Sequence, residues 1–337
     1  MTLAELTTLR LGGPPGRLVE ATTEEELVDA VRSADAGGEP LLVLAGGSNV
    51  VIADEGFPGT VVRVLTTGVT ADGDVLTVAA GEPWDPFVAR CVSESRAGVE
   101  CLSGIPGSVG ATPIQNVGAY GQEVAETVVA VRVLDRTTGE IASLSPADCG
   151  FAYRSSTFKR SPDRFVVLAV SYRLPRASQS GPVRYAELAS ALGVSLGDGA
   201  PLAEVRAAVL ALRGGKGMVL DASDPDTASA GSFFTNPILA AADVPEGAPA
   251  WPEPDGRVKT SAAWLIQNAG FSRGEGSPDG IAISSKHVLA LTNRGGGTTA
   301  ELVAFASQIA ARVWEAFGVW LVPEPVFVGV DWPHRPA

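Results

Sequence analysis

The sequence predicts an α+β protein that binds a ligand, and three observations carry that prediction. Helical stretches opened by capping residues alternate irregularly with short apolar runs broken by Gly and Asp. A glycine loop at 45–49 stands between two strand-like runs instead of opening a helix. A stretch of small and amide residues at 103–121 is too long for a hairpin turn and fits no regular element. The 337 residues suffice for roughly two domains, or three small ones, each with its own core.

Taken in order, Thr23 to Asp35 begins Thr-Glu-Glu-Glu, a capping box in which Thr23 and Glu26 satisfy each other's free N–H groups, followed by Leu27, Val28 and Val31 at helical spacing. Leu41 to Leu44 and Val50 to Ile52 read as strands on either side of Ala-Gly-Gly-Ser-Asn. Thr60 to Leu65 and Val75 to Ala79 are further strands, and a helix from Trp84 to Arg96 follows Pro83. Strands resume at Val128 to Leu134, Ile141 to Leu144 and Phe165 to Leu174, and Pro201 to Arg213 has helical spacing of Leu202, Val205, Val209 and Leu212. A new unit starts near Gly214. Within it Ser261 to Asn268 is a helix stopped by Gly270, and Thr298 to Phe317 a long helix with a second capping box (Thr298, Glu301) and Gly318 as its stop. Asp243 to Gly256, Pro-rich and acidic, reads as a surface loop, while Trp320 to Val322 and Val326 to Val330 read as closing strands. The chain contains no internal repeat.

Composition removes several function classes. Lys and Arg number 25 against 38 Asp and Glu, a formal net charge of −13 that repels phosphate backbones and anionic lipid. Nucleic acid and membrane are therefore excluded as partners, and an anionic small ligand requires a local basic pocket. No apolar run approaches the length of a membrane helix, and the N-terminal MTLAELTTLRLGG lacks the pattern of a secretory signal. Cys91, Cys101 and Cys149 are widely spaced, with only His287 and His334 to join them, so no metal site is expected and a reduced, cytoplasmic protein is. The Rossmann fingerprint, the Walker loop and the nucleophile elbow are all absent; Gly215-Lys216 is followed by Gly217, and Leu210 stands where a Walker loop needs glycine.

Two segments could hold a ligand. Gly46-Gly47-Ser48-Asn49 could curl its backbone N–H groups into a nest for phosphate, or be a plain tight turn. In 103–121 the glycines allow close approach, and Gln115 and Asn116 pair donors with acceptors at spacing suited to the edge of a flat heterocycle. Ile105, Val109, Ile114 and Val117 interleave with the small residues, which favours an ordered wall over a mobile loop. Three polar residues stand in settings that read as buried or tightly turned. Arg154 follows Phe151-Ala152-Tyr153 and could meet a phosphate, a carboxylate or a structural ion-pair partner. Ser232 lies in Ala-Gly-Ser-Phe-Phe-Thr-Asn-Pro, where a turn serine is the ordinary alternative. Glu324 lies between two prolines, where a solvated edge charge is the alternative.

Seven segments in order, TTLRLGGP (7–14), LAGGSNVV (44–51), IPGSVGATPIQNVGAYG (105–121), FAYRSSTFK (151–159), AGSFFTNP (230–237), SAAWLIQNAGF (261–271) and VWLVPEPVFVG (319–329), resemble the UDP-N-acetylenolpyruvoylglucosamine reductases. The resemblance implies an FAD-binding module of the vanillyl-alcohol-oxidase type in two subdomains, 1–66 and 67–213, plus a C-terminal α+β substrate-binding domain at 214–322, with the strand in 323–337 returning to the first subdomain. It implies noncovalent FAD, NADPH as reductant, and reduction of the enolpyruvyl ether of UDP-N-acetylglucosamine on the way to peptidoglycan. No protein partner can be inferred.

On the same footing the resemblance assigns Arg154 to the substrate carboxylate and its enolate, Glu324 to polarising that carboxylate, and Ser232 to protonating the adjacent carbon. Two ionised carboxylates side by side repel, so Glu324 would be protonated or share a proton with the substrate. Tyr185 would be the nucleotide lid, as in the longer form of the family, and Lys216 and Asn236 the diphosphate and sugar contacts. The flavin would lie along Gly46, Gly47, Ser48 and Asn49 and along Ile105, Gly107, Ile114, Gln115, Asn116 and Gly118, with Arg213 adding positive charge. Val326 departs from relatives with a basic residue there, so any flavin contact at that position is lost or replaced. Two other readings of the sequence are a different FAD-dependent oxidase or dehydrogenase on the same fold, and a nucleotide-sugar-binding module without turnover.

Overall fold

A computed structural model describes residues 1–335. Residues 336 and 337, the end of the segment expected to return to the first subdomain, lie outside the described residues. The chain forms two compact units, each made of separate stretches of sequence. One, here the glycine-loop unit, contains Pro15–Gly46 and Pro58–Gly215; the other, the C-terminal unit, contains Met1–Pro14, Gly47–Phe57 and the chain from Lys216 on.

The glycine-loop unit holds two sheets. In the smaller, the strand Phe57–Val64 lies between Pro15–Ala21 and Leu41–Leu44, and Leu41 pairs in parallel with Thr60. The helix Glu24–Gly37 starts where the capping box requires: Thr23 Oγ1 accepts the Glu26 N–H at 3.1 Å, and the Glu26 carboxylate accepts the N–H groups of Thr22 and Thr23. It ends at Gly38 in the left-handed region, φ 63°. The larger sheet is antiparallel, in the order Glu140–Leu144, Val128–Asp135, Phe165–Arg173, Val75–Ala79, Val69–Asp72.

Its core gathers Leu27, Val31, Leu76, Val78, Val131, Val133 and Val170 around Trp84, Phe87 and Tyr172, whose ring centroids are 5.7–5.9 Å apart. Two polar atoms of these rings are used outside the core sheet. Trp84 Nε1 donates to the Leu102 carbonyl at 3.0 Å, and the Tyr172 hydroxyl bonds Thr112 Oγ1 at 2.7 Å. The Tyr172 bond pins the 103–121 stretch to the scaffold, and the Trp84 bond holds the residue just before it. A satellite cluster of Cys101, Val183, Leu188, Val205 and Val209 joins the helices Ala186–Leu192 and Leu202–Gly215.

In the C-terminal unit Val50–Ile52 pairs in parallel with Val326–Val328. A second sheet has Ala290–Asn293 between Ser229–Ser232 and Ile281–Ile283, and a third has Val258–Thr260 between Ile238–Leu239 and Ala250–Pro252. The long helix Thr299–Phe317 carries the Thr298/Glu301 box and a further cap from a distant residue: Asp54 accepts the N–H groups of Thr299 and Ala300 at 2.7 and 2.9 Å. A carboxylate at a helix N-terminus also meets the positive end of the helix dipole. Phe233, Phe234, Leu265, Ile309 and Leu321 are among the buried core residues.

Several expectations need correction. Asp243 to Gly256 is not all loop, because Ala250–Pro252 pairs with Val258–Thr260. Trp320 to Val322 is not a strand; its neighbours make one bridge, Phe234 to Pro323. The helix from Trp84 ends at Ser93, short of Arg96, and the last strand ends at Val328, short of Val330. The runs flanking the glycine loop do not pair with each other; one joins Phe57–Val64 and the other Val326–Val328. No helix among the described residues is long and apolar enough to cross a membrane. The three cysteines are free and buried, and burial pushes the thiols of Cys91 and Cys101 up to about 12 and that of Cys149 to about 11.

Candidate active site

In the glycine-loop unit two glycines allow backbone to touch backbone. A Cβ on Gly46 would lie 2.7 Å from the Gly107 Cα, and one on Gly110 would lie 2.9 Å from the Ala80 Cα. The loop is tied down along its length: the Trp84 N–H donates to the Gly107 carbonyl (3.0 Å), Val109 to Glu82 (2.9 Å), Gly110 to Ala80 (2.8 Å) and Gly104 to the Asp85 carboxylate (2.6 Å). Ser108, only 5% exposed, buries an Oγ that has no hydrogen-bond partner among the described residues. A buried hydroxyl left unbonded is costly, so this cradle suits a ligand that supplies an oxygen there. Ile105 and Ile114 pack on the core as wall residues, and Gln115 and Gly118 are half-buried.

Asn116 is placed differently from its expected position at a heterocycle edge. At φ 47° and 1% exposed, it turns its amide inward: Nδ2 donates to Glu123 Oε2 at 2.7 Å and to the Ala152 carbonyl at 3.2 Å, while Oδ1 accepts the Ala125 N–H at 3.1 Å. Ala152 opens the turn that carries Arg154. That turn is closed by reciprocal bonds between Ala152 and Ser155 (3.0 and 3.1 Å), with Arg154 at φ 50°. The Arg154 guanidinium sits over the Tyr153 ring, 5.4 Å from its centroid, and Nη2 donates to the Gly118 carbonyl at 2.7 Å. Asn116 thus braces the turn at Ala152, and the Gly118 carbonyl holds the guanidinium.

Tyr185 precedes the helix Ala186–Leu192 and is 45% exposed. Its ring meets Tyr120 edge-on at 5.3 Å, and the adjacent Arg184 pairs with Glu126 at 3.2 Å. Arg213 stands in the last turn of Leu202–Gly215, where burial lowers its pKa and Tyr120 and Asp85 oppose that shift. Ser108 and Tyr120 were not singled out from the sequence. The available signal was a hydroxyl and an aromatic ring framed by glycines.

The C-terminal unit brings Ser232, Glu324 and Asn49 onto neighbouring backbone. Ser232 ends its strand opposite Ala290, and the Phe233 N–H donates to the Leu289 carbonyl at 2.7 Å. The Glu324 N–H donates to the Phe233 carbonyl at 2.8 Å, and Thr235 to Val322 at 3.0 Å, so the two segments run side by side. Asn49 joins through the Val326 N–H (3.0 Å to the Asn49 carbonyl) and a long bond from Nδ2 to the Glu324 carbonyl at 3.5 Å. Gly47, at φ 55°, has the Leu6 carbonyl 2.0 Å from where a Cβ would be, and Thr8 bonds the carbonyls of Ser48 and Ser229 at 3.4 and 2.7 Å. Asn236 spends its Oδ1 on the Ala262 N–H at 3.0 Å, at the start of the helix Ala262–Asn268. Lys216 opens the unit's last stretch, just before Gly217 at φ 67°, and Val326 is 41% exposed.

Comparison with known proteins separates the possibilities this geometry leaves. An FAD binding domain matches residues 15–145, and the C-terminal domain of UDP-N-acetylenolpyruvoylglucosamine reductase matches residues 224–328. The reductase of Salinispora arenicola is 59% identical, covering 97% of this chain and 94% of its own. That of Thermobifida fusca is 57% identical, covering 97% of each. The chain belongs to the UDP-N-acetylenolpyruvoylglucosamine reductase family. The crystal structure of the family's enzyme from Thermus caldophilus superposes with a TM-score of 0.65 at 25% identity over 97% of both chains. Family membership makes the protein an FAD-dependent oxidoreductase with the expected FAD-binding fold, and the Gly46/Gly107 approach and the unbonded Ser108 Oγ fit that cofactor.

Proposed function

We propose that this reductase converts the enolpyruvyl ether of UDP-N-acetylglucosamine into the lactyl ether of UDP-N-acetylmuramate, with NADPH as the reductant of its flavin. FAD held in this site would supply the hydride chemistry needed at the terminal carbon of the enolpyruvyl group. Hydride addition there succeeds only if negative charge is absorbed at the substrate's carboxylate. Arg154 donates to that carboxylate, and its turn, closed at Ala152 and Ser155 and braced by Asn116, supplies the donor already oriented. Glu324 adds an acid group that is protonated or shares a proton with the substrate.

Ser232 delivers a proton to the carbon beside the carboxylate. The observation that supports the reading is the backbone bond from Glu324 to Phe233, the residue after Ser232, which ties together the two segments that carry the proposed acid and the proposed proton donor. Lys216 takes the diphosphate, Asn236 the sugar side and Tyr185 closes over the nucleotide. The flavin is held noncovalently along Gly46 to Asn49 and Ile105 to Gly118; the cysteines are buried, which leaves no thiol for attachment. Buried free thiols also suit the reducing cytoplasm.

The test is a two-stage anaerobic experiment on purified protein. NADPH bleaches the yellow flavin, and the enolpyruvyl nucleotide sugar then restores the colour. Flavin that recovers only when oxygen enters rejects this substrate, and a colourless protein that binds nucleotide sugar without turnover rejects the reaction.

A further inference from the structure

We infer that Asp85 is a positioning residue of the flavin site, holding the 104–110 loop in its FAD-ready shape, with Arg206 fixing Asp85 in turn. The inference rests on the flavin reading. Asp85 is the second residue of the helix Trp84–Ser93. Its Oδ1 accepts the Gly104 N–H at 2.6 Å and the Arg206 Nη1 at 2.6 Å, and its Oδ2 accepts Arg206 Nη2 at 2.9 Å. One carboxylate therefore joins three segments: its own helix, the glycine-rich loop, and the helix Leu202–Gly215. The pair is sheltered, with the Arg206 side chain 18% and the Asp85 side chain 33% exposed.

The loop leaves little room for this anchor to be redundant. Gly104 is at φ 71° and Gly107 at φ 109°, conformations that glycine enters and leaves freely, so the bonds at the two ends of the segment are what select them. The anchor at one end is Asp85, on the Gly104 N–H; at the other it is the Trp84 N–H, on the Gly107 carbonyl at 3.0 Å. Only Ile105 and Pro106 lie between. Gly107 is the residue that Gly46 approaches, and Ser108 follows it with its unbonded Oγ. The two successive residues Trp84 and Asp85 thus set where the cradle's closest backbone lies.

Charge supports the same assignment. Burial disfavours an ionised Asp85, but the Arg206 and Gly104 hydrogen bonds outweigh it and the pKa is lowered, so the carboxylate stays ionised. Arg213, two turns beyond Arg206 on the same helix, also feels Asp85. A carboxylate in a flavin-nucleotide site would repel phosphate if it were unmatched. The bidentate arginine cancels that charge and leaves the geometry.

Titration of the apoprotein with FAD, followed by flavin fluorescence, tests this alongside melting of apo and holo forms. A charge-assisted hydrogen bond of this kind corresponds to roughly 10- to 100-fold in affinity. Asp85→Asn is expected to weaken FAD by that factor and to shrink the gap in Tm between holo and apo protein. Arg206→Met is expected to weaken FAD less, and the double variant no more than Asp85→Asn alone. A dissociation constant within about twofold of wild type for Asp85→Asn, with the Tm gap intact, assigns the residue to general stability and overturns the inference. If Asp85→Asn does not fold, Arg206→Met decides: FAD binding as tight as wild type overturns it. Wild-type protein that takes up no FAD would instead remove the flavin reading, and this inference with it.

Discussion

The two halves of the proposed chemistry are built by opposite means. Ser232 and Glu324 are held by backbone bonds, Ser232 in a strand ladder and Glu324 beside it: strand pairing at Ala290, and bonds from Phe233 to Leu289 and from Glu324 to Phe233. Arg154 sits on a strained turn that is closed by backbone bonds between Ala152 and Ser155 and braced by a side chain. It sits at φ 50°, beside Asn116 at φ 47° and Tyr120 at φ 49° in the stretch that supports it, and its position depends on the amide of Asn116 and the carbonyl of Gly118. Left-handed backbone costs a non-glycine residue about 1–2 kcal/mol, so this arrangement persists only while the bonds that close and brace it do. A ladder needs no particular side chain, which frees Ser232 and Glu324 to be chosen for chemistry alone. Substitutions should therefore separate: on the ladders they alter reaction without altering position, and around Arg154 they alter both.

The largest expected effect tests the ladder side. Ser232→Ala should slow substrate-dependent reoxidation of the flavin by about 10²–10⁴ while leaving reduction by NADPH and the melting temperature unchanged, as stopped-flow absorbance would show. Equal loss in both half-reactions would remove its role as proton donor. Next, Arg154→Gln should cost about 10²–10³ in the same reoxidation step. Because the variant also loses the bond to the Gly118 carbonyl and the contact over the Tyr153 ring, a small fall in Tm should accompany it.

Asn116 sharpens the contrast without touching the reaction. Asn116→Ala removes the bonds to Glu123, Ala152 and Ala125 and puts alanine in a left-handed conformation, for a loss of about 2 kcal/mol or more by denaturant unfolding. Asn116→Gly restores the backbone freedom and should recover part of the stability, yet keep a reduced rate, since the Arg154 turn has still lost its brace. If both variants react at the wild-type rate, Arg154 is positioned by its own turn and the contrast fails.

The smallest effect is a control in a turn that carries no candidate residue. Asp135 accepts from Thr137 and from Arg164, and the Arg164 hydrogen bonds, then those of Thr137, lower its pKa to about 2, against about 3.9 in an unfolded chain. Its contribution is present above about pH 4 and is lost as the pH falls through its folded value of about 2. Asp135→Asn should lower the Tm at neutral pH by roughly 2–4 °C and flatten the decline of Tm on acidification, with flavin reduction and reoxidation unchanged.

Much of this was legible from local sequence. The capping boxes at Thr23/Glu26 and Thr298/Glu301 are both formed, because a box is completed by residues three apart and needs nothing from the rest of the fold. Helical spacing at Leu202, Val205 and Val209 marked a helix whose buried face carries those residues. The sequence offers no strand for either the second or the third sheet of the C-terminal unit, since Ser229–Ser232, Ile238–Leu239, Val258–Thr260 and Ile281–Ile283 are too short to show a period of their own. Asp85 carries no signal, reading as an ordinary acid in a first helical turn, and Ser108 only the weak one of a hydroxyl framed by glycines.

Family membership and the cofactor were thus written in the chain itself, in seven short blocks where glycines, amides and two arginines recur in a set order, and in helix ends that close on near neighbours. Which groups those blocks meet was decided only in three dimensions. Val50–Ile52 takes its partner from Val326–Val328, Asp54 caps a helix that begins at Thr299, and the Asn116 amide turns to Ala152 instead of outward. The physical reason is the same in each case. Buried donors and acceptors must be paired, and the partner that completes the set can lie anywhere along the chain that folding brings within 3 Å or so.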